Sequence, residues 1–180
     1  FVSVGDGCII SGVYKGVRDL VAAGYLAQMP KIIGVQAEGS AYLYDAWIND
    51  EDVLAKPPIA ASTVADSISA GLPRDRIKAM TAVRQTNGAF VTVTDAQILA
   101  AIPALAQGSG VFAEPASAAT YAGFSKAAQT GLIGPDARVA LILTGNGLKD
   151  VQSAMKSVGQ AVTIPAEITA VERVFNNLGV

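Results

Sequence analysis

The sequence predicts an α/β fold: a mostly parallel, twisted sheet with helices on both faces. Three observations carry this expectation. The chain opens on a short extended run, Phe1–Val4, followed by apolar residues at Ile10, Val13, Val17, Leu20 and Val21 in helical spacing, then by a second apolar run, Lys31–Val35. Strand, crossover helix and strand in that order call for a parallel pair with its helix laid on the sheet. Finally, 51% of the residues are hydrophobic, 16% are charged and 18 are glycines, a composition that suits buried strands and closely packed helices. At 180 residues the chain has the size of one α/β domain, residues 1–180.

The first element to justify is the turn Val4-Gly5-Asp6-Gly7-Cys8-Ile9-Ile10-Ser11-Gly12. A strand passes through glycines into a helix, so unpaired backbone N–H groups gather at the positive end of a helix dipole. Such a turn either cradles a phosphate without any basic side chain or uses glycine only for its backbone angles. The helix ends near Ala23-Gly24 and Pro30 breaks the chain before the second strand. Gln36–Gly39 then occupy that strand's carboxyl end, where open α/β sheets bind ligands.

Tyr42–Ile48 reads as a short helix, and Asn49–Asp52 with Lys56-Pro57-Pro58 reads as an exposed loop. Ser62 is placed to cap a helix running through Ala70, closed by Gly71 and Pro73. Arg74–Gln85 continues as another helix ending at Asn87-Gly88. Phe90–Val93 is a β-branched strand, Asp95 a candidate N-cap, and Ile98, Leu99, Ile102 and Leu105 the apolar stripe of the next helix, stopped by Gly108 and Gly110. Val111–Ala113 predicts a brief strand. Glu114-Pro115 then opens an Ala-rich helix to Thr130, with proline in its first turn. Arg138–Leu143 predicts a further strand, leading into the polar, glycine-rich loop Thr144–Asp150. Helices over 150–158 and 165–178 complete the chain. On this reading the strands at 1–4, 32–36, 111–113 and 138–143 bring the two glycine loops to one edge of the sheet.

Composition removes several function classes. With no histidine, His-based catalytic triads and the usual zinc sites are excluded, and one cysteine excludes an internal disulfide. Cys8 is a poor nucleophile for the same reason, since no imidazole can activate it. A formal charge of −2 offers no footprint for nucleic acid or an anionic membrane, and no apolar run approaches the ~20 residues of a membrane span. A cytoplasmic setting is expected. A dinucleotide fingerprint starting at Gly5 would need glycine where Ile10 stands, and no Gly-Lys-Ser/Thr follows for a Walker loop. Glu38 leaves a ribose-binding alternative open. What survives is a cradle of backbone amides on a parallel sheet.

Four segments carry a resemblance: Val4-Gly5-Asp6-Gly7-Cys8-Ile9, Gly34-Val35-Gln36-Ala37, Gly110–Ala119 and Leu143-Thr144-Gly145-Asn146-Gly147-Leu148-Lys149-Asp150. In order and spacing they resemble threonine synthase, a fold type II enzyme family that uses pyridoxal 5'-phosphate. The resemblance covers nearly the whole chain and corresponds to the C-terminal half of that family, so the N-terminal half is expected to be absent. It implies a lyase or synthase of threonine biosynthesis that converts O-phosphohomoserine and water to threonine and phosphate. It further implies that Gly5, Asp6, Gly7, Cys8 and Ile9 hold the cofactor phosphate and that Thr144 bonds the pyridine nitrogen. A hydroxyl suits that role, because a neutral partner orients the ring without forcing a full proton onto its nitrogen.

The family's aldimine lysine lies in the N-terminal half. None of Lys15, Lys31, Lys56, Lys78, Lys126, Lys149 and Lys156 stands in its motif, so no catalytic residue is assigned here and the chain alone is expected to be inactive. Lys149 reads as structural, and Glu114 as an N-terminal helix residue facing the dipole. The implied partners are an amino-acid substrate, the N-terminal half and further copies of the enzyme, with no nucleic acid, membrane or metal. Many threonine synthases carry an asparagine-rich first loop where this chain has Asp6, Cys8 and Ile9. A related enzyme acting on another amino acid, or a stand-alone domain that binds a phosphate ligand, therefore stands as the alternative.

Overall fold

The computed structural model describes residues 1–178, so the expected domain reaches two residues, 179 and 180, beyond the described ones. The fold is α/β. Strands β1 (Val2–Ser3), β2 (Ile33–Ala37) and β3 (Ala89–Val93) form a parallel sheet in the order β1-β2-β3, with Val2 opposite Gly34 and Val35 opposite Val91. Every residue of β2 and β3 is buried, and each strand holds a single polar side chain, Gln36 or Thr92, instead of an alternating polar face.

Helices cover both faces. On one side lie α1 (Cys8–Ala22), α2 (Tyr42–Ile48) and α3 (Arg76–Gln85), whose Ile10, Leu43 and Val83 pack with Val2, Val4 and Phe90. On the other lie α4 (Asp95–Ser109) and α5 (Pro115–Gln129), whose Ile98, Ile102 and Ala119 pack with Val35, Val91 and Val93. Close approach is written into two glycines. A Cβ at Gly34 would meet the Phe90 ring at 2.6 Å, and one at Gly123 would meet Val35 Cγ1 at 2.7 Å and Val35 Cβ at 3.1 Å. Helices α6 (Val151–Val158) and α7 (Ile168–Leu178) follow, the latter starting three residues later than the sequence suggested. Among the described residues, no helix is long and apolar enough to cross a membrane.

Four expectations are corrected. Residues 138–143 form no strand: they lie along the free edge of β1, where Phe1 N donates to Ala140 O (2.8 Å), Ile142 N donates to Phe1 O (3.0 Å) and a single bridge joins Val2 to Ile142. With only two residues in β1, the ladder has no further partners. Val139 and Ile142 stay more than a third exposed, so the apolar run lacks the covering layers that make such a run a buried strand. Residues 111–113 likewise contribute one antiparallel bridge, Ala113 to Asn146, and no ladder.

The helix expected from Ser62 to Ala70 is absent except for a 3₁₀ turn at Asp66–Ile68. Its backbone is drawn instead to the carboxyl ends of the strands: Ser62 N donates to Gly39 O (2.8 Å), Val64 N to Asp95 Oδ2 (3.1 Å) and Ala70 N to Ser40 Oγ (2.9 Å). Tertiary bonds thus outcompete a run whose Ser and Thr residues favour turns over helix interiors. The cap of α4 is Thr94, not Asp95. Thr94 Oγ1 accepts from Gln97 N while Gln97 Oε1 accepts from Thr94 N, a reciprocal capping box that leaves the Asp95 carboxylate free to hold Thr63 and Val64.

Replacing Gly123 by alanine tests the close α5–β2 contact. The helix gains about 1 kcal/mol of propensity, yet the methyl overlaps three atoms of a valine with no exposed surface, so a net loss of about 1–3 kcal/mol is expected. Urea unfolding should show the midpoint falling with an unchanged slope.

Candidate functional site

All three strands point their carboxyl ends the same way, and the residues that follow them gather there. β1 is followed by the loop Gly5–Gly7 that opens α1. Gly7 is the N-cap, in the left-handed region at φ 89°, and offers no side-chain cap. The carbonyl of Gly7 accepts from Ser11 N (3.2 Å) and Ser11 Oγ (2.6 Å), which starts the helix. Among the described residues, the six consecutive amides of Gly5, Asp6, Gly7, Cys8, Ile9 and Ile10 donate to no protein group. Buried backbone donors are rarely left so, and Gly5 and Gly7 are both buried. By contrast, no buried side-chain polar atom among those described lacks a partner.

The loop is held rigidly. A Cβ at Gly5 would lie 2.8 Å from Ile68 Cα, and one at Gly7 would lie 2.9 Å from Ala79 Cβ, so both positions exclude a side chain. Asp6 ties the loop to the start of α3: its carbonyl accepts from Asp75 N (2.8 Å) and its carboxylate from Arg74 N (3.2 Å). Cys8 and Ile9 are exposed in the first turn of α1. The arrangement fits a phosphate, because a row of free amides at a helix start neutralises an anion without a basic side chain.

Thr144 occupies the second loop, exposed, with its Oγ1 3.3 Å from Ser117 Oγ. Ser117 lies in the first turn of α5 and also receives Gly145 N (2.6 Å) while donating to Gly145 O (3.0 Å), so one buried hydroxyl pins the loop on three sides. No direct hydrogen bond joins Thr144 to residues 5–9 among the described residues. The two loops meet through the segment 65–68 instead: Ile68 backs Gly5, and Ser67 Oγ contacts Glu114 Oε2 (3.4 Å), whose own backbone N–H donates to Gly145 O (3.0 Å).

Sequence reasoning missed Ser67 and Ser117. Ser117 was legible in principle, as a hydroxyl in the first turn of the helix that Pro115 opens. Ser67 carried no such signal, because its segment reads as a helix that does not form.

Cys8 also lines a groove of 460 Å³ between α1 and α3, with Tyr14, Arg18, Asp75 and Lys78. The Asp75 carboxylate accepts from the thiol and pushes its pKa up. Slight desolvation and the charges of Asp75 and Asp6 add to this, and Lys78 partly opposes it. Asp75 is in turn held below the usual carboxylate range by the Lys78 ammonium at 2.8 Å and by the thiol. A raised thiol pKa means less thiolate at any given pH, so Cys8 should alkylate slowly at neutral pH despite its exposure. Asp75→Ala removes both the acceptor and the charge that raise the thiol pKa, and the rate of iodoacetamide labelling at fixed pH should rise severalfold.

Known proteins resemble the chain over most of its length. The chain is 33% identical to the threonine synthase of Methanocaldococcus jannaschii over 178 residues, covering 98% of this chain and 44% of the relative. It is 38% identical to that of Methanosarcina acetivorans over 173 residues, covering 96% and 42%. The chain thus spans less than half the length of these curated relatives. Among solved structures, the processed form of threonine deaminase isoform 2 from Solanum lycopersicum superposes with a TM-score of 0.63 at 19% identity, over 89% of this chain and 44% of that one. A pyridoxal 5'-phosphate-dependent aspartate racemase superposes with a TM-score of 0.60 at 23% identity, over 81% and 42%. Residues 1–145 match the family described as pyridoxal-phosphate dependent enzyme. That match covers both the amide row at 5–10 and Thr144, and the chain belongs to this pyridoxal-phosphate dependent enzyme family.

Proposed function

We propose that this chain is the cofactor-holding part of a lyase that converts O-phosphohomoserine and water to threonine and phosphate. The carrying observation is the row of six unpartnered amides from Gly5 to Ile10, set on a rigid glycine turn at a helix start. Likeness to threonine synthases over nearly the whole chain supports the choice of reaction.

In this reading Gly5, Asp6, Gly7, Cys8 and Ile9 receive the cofactor phosphate through backbone N–H groups, and the dipole of α1 offsets its charge. Thr144 Oγ1 orients the ring nitrogen, with Ser117 fixing the hydroxyl's direction from behind. When bound, pyridoxal phosphate supplies an electron sink for carbanion chemistry. The residues of this chain bind and orient; none of its lysines is proposed to carry the covalent step. That step is assigned to the rest of a longer protein, so the 180-residue chain alone should release no phosphate.

In the full-length protein supplied with pyridoxal phosphate, phosphate release from O-phosphohomoserine with formation of threonine is the expected result. Turnover of other amino acids without phosphate release would favour the related-enzyme alternative. Thr144→Val should lower turnover by about 1–3 kcal/mol of transition-state stabilisation while leaving the urea midpoint nearly unchanged, because the hydroxyl is exposed and its loss leaves a ligand nitrogen unpaired. Wild-type rates in that variant would remove Thr144 from the role.

A further inference from the structure

Glu114 is the only charged residue that is buried among those described, at 5% exposure, and its carboxylate gathers three separate segments. Lys149 Nζ, from the loop that carries Thr144, lies 3.1 Å from Oε2 and 3.4 Å from Oε1. Ser67 Oγ, from the segment that backs Gly5, lies 3.4 Å from Oε2 and itself receives Lys149 Nζ at 2.8 Å. A Cβ at Gly145 would overlap Glu114 Oε1, so the backbone next to Thr144 rests directly on the carboxylate. A helix N-terminal residue needs none of this, since Glu114 caps no amide of α5 with its side chain.

We propose that Glu114 and Lys149 are positioning residues whose ion pair locks the Thr144 loop onto the segment behind Gly5, setting the separation between the ring-nitrogen hydroxyl and the phosphate cradle. This rests on the cofactor reading above. The pair has a second consequence. A carboxylate lodged against Gly145, the residue after Thr144, and without a countercharge would favour a proton on a nitrogen bound at Thr144, and Lys149 cancels that pull. Lys149 keeps 60% of its side chain in solvent, so the cation stays hydrated while it neutralises the buried anion.

The test uses the full-length protein and three variants, Lys149→Met, Glu114→Gln and Glu114→Gln/Lys149→Met. It reads the dissociation constant for pyridoxal phosphate and, at one fixed pH, the absorption spectrum of the bound cofactor. Lys149→Met leaves a buried, uncompensated carboxylate and should bind at least about tenfold more weakly, with its absorption shifted toward the ring-protonated form. The double variant removes the stranded charge and should recover much of the affinity and the wild-type spectrum. A residue that merely stabilised the fold would not produce that spectral shift or its reversal. Variants that bind as wild type with unshifted spectra, or a double variant as weak as Lys149→Met, would overturn the inference while leaving the cofactor reading intact. Wild-type protein that fails to bind pyridoxal phosphate would defeat the cofactor reading and this inference together.

Discussion

The central strand β2 constrains everything around it. It is hydrogen-bonded on both edges and buried on both faces, so each neighbour must be placed against a surface with no slack. Its one polar side chain, Gln36, is fully buried and fully used: Nε2 donates to Val4 O (3.3 Å), and Oε1 accepts from Leu43 N and Tyr44 N, both at 2.9 Å. That amide fastens β1, immediately before the glycine loop, to the first turn of α2. An apolar residue there would strand three backbone groups in a dry interior, which is why a polar group persists at the centre of the sheet.

Around that strand the polar work concentrates at the carboxyl edge. Ser40 Oγ accepts from Ala70 N and reaches Ile68 O (3.2 Å), while Asp95 holds Thr63 and Val64. The segment from 59 to 71 therefore crosses the ends of β2 and β3 as a strap, and Ile68 at its far end presses on Gly5. The strap satisfies its own backbone with sheet-edge groups, yet it leaves the amides of residues 5–10 free.

The electrostatics follow from the same economy. With a net charge of −2, the chain has no basic patch to attract an anion from a distance. Several lysines are already committed: Lys15 to Asp19, Lys56 to Glu51, Lys78 to Asp75 and Lys149 to Glu114. Backbone amides and a helix dipole are fixed in place, so in the proposed role they would neutralise a phosphate without the entropy loss of ordering a long cationic side chain. The Asp6 carboxylate accepts from Arg74 N (3.2 Å), in the turn before α3.

The amino-acid sequence by itself determined the α/β class, the glycine turn into α1, the proline start of α5 and the helices whose apolar stripes are regular. These rest on local physics: glycine at positive φ, proline without an N–H, and a 3.6-residue period. Tertiary structure decided the rest. Arg138–Leu143 has the composition of a strand, but a two-residue neighbour offers it only three points of pairing. Ser62–Ala70 has helix signals at its ends, but Gly39, Ser40 and Asp95, each distant in sequence, draw its backbone away. The meeting of Glu114, Lys149 and Ser67 was equally illegible, because a buried charge is tolerated only where its partners converge, and no local pattern records residues 67, 114 and 149 arriving at one point.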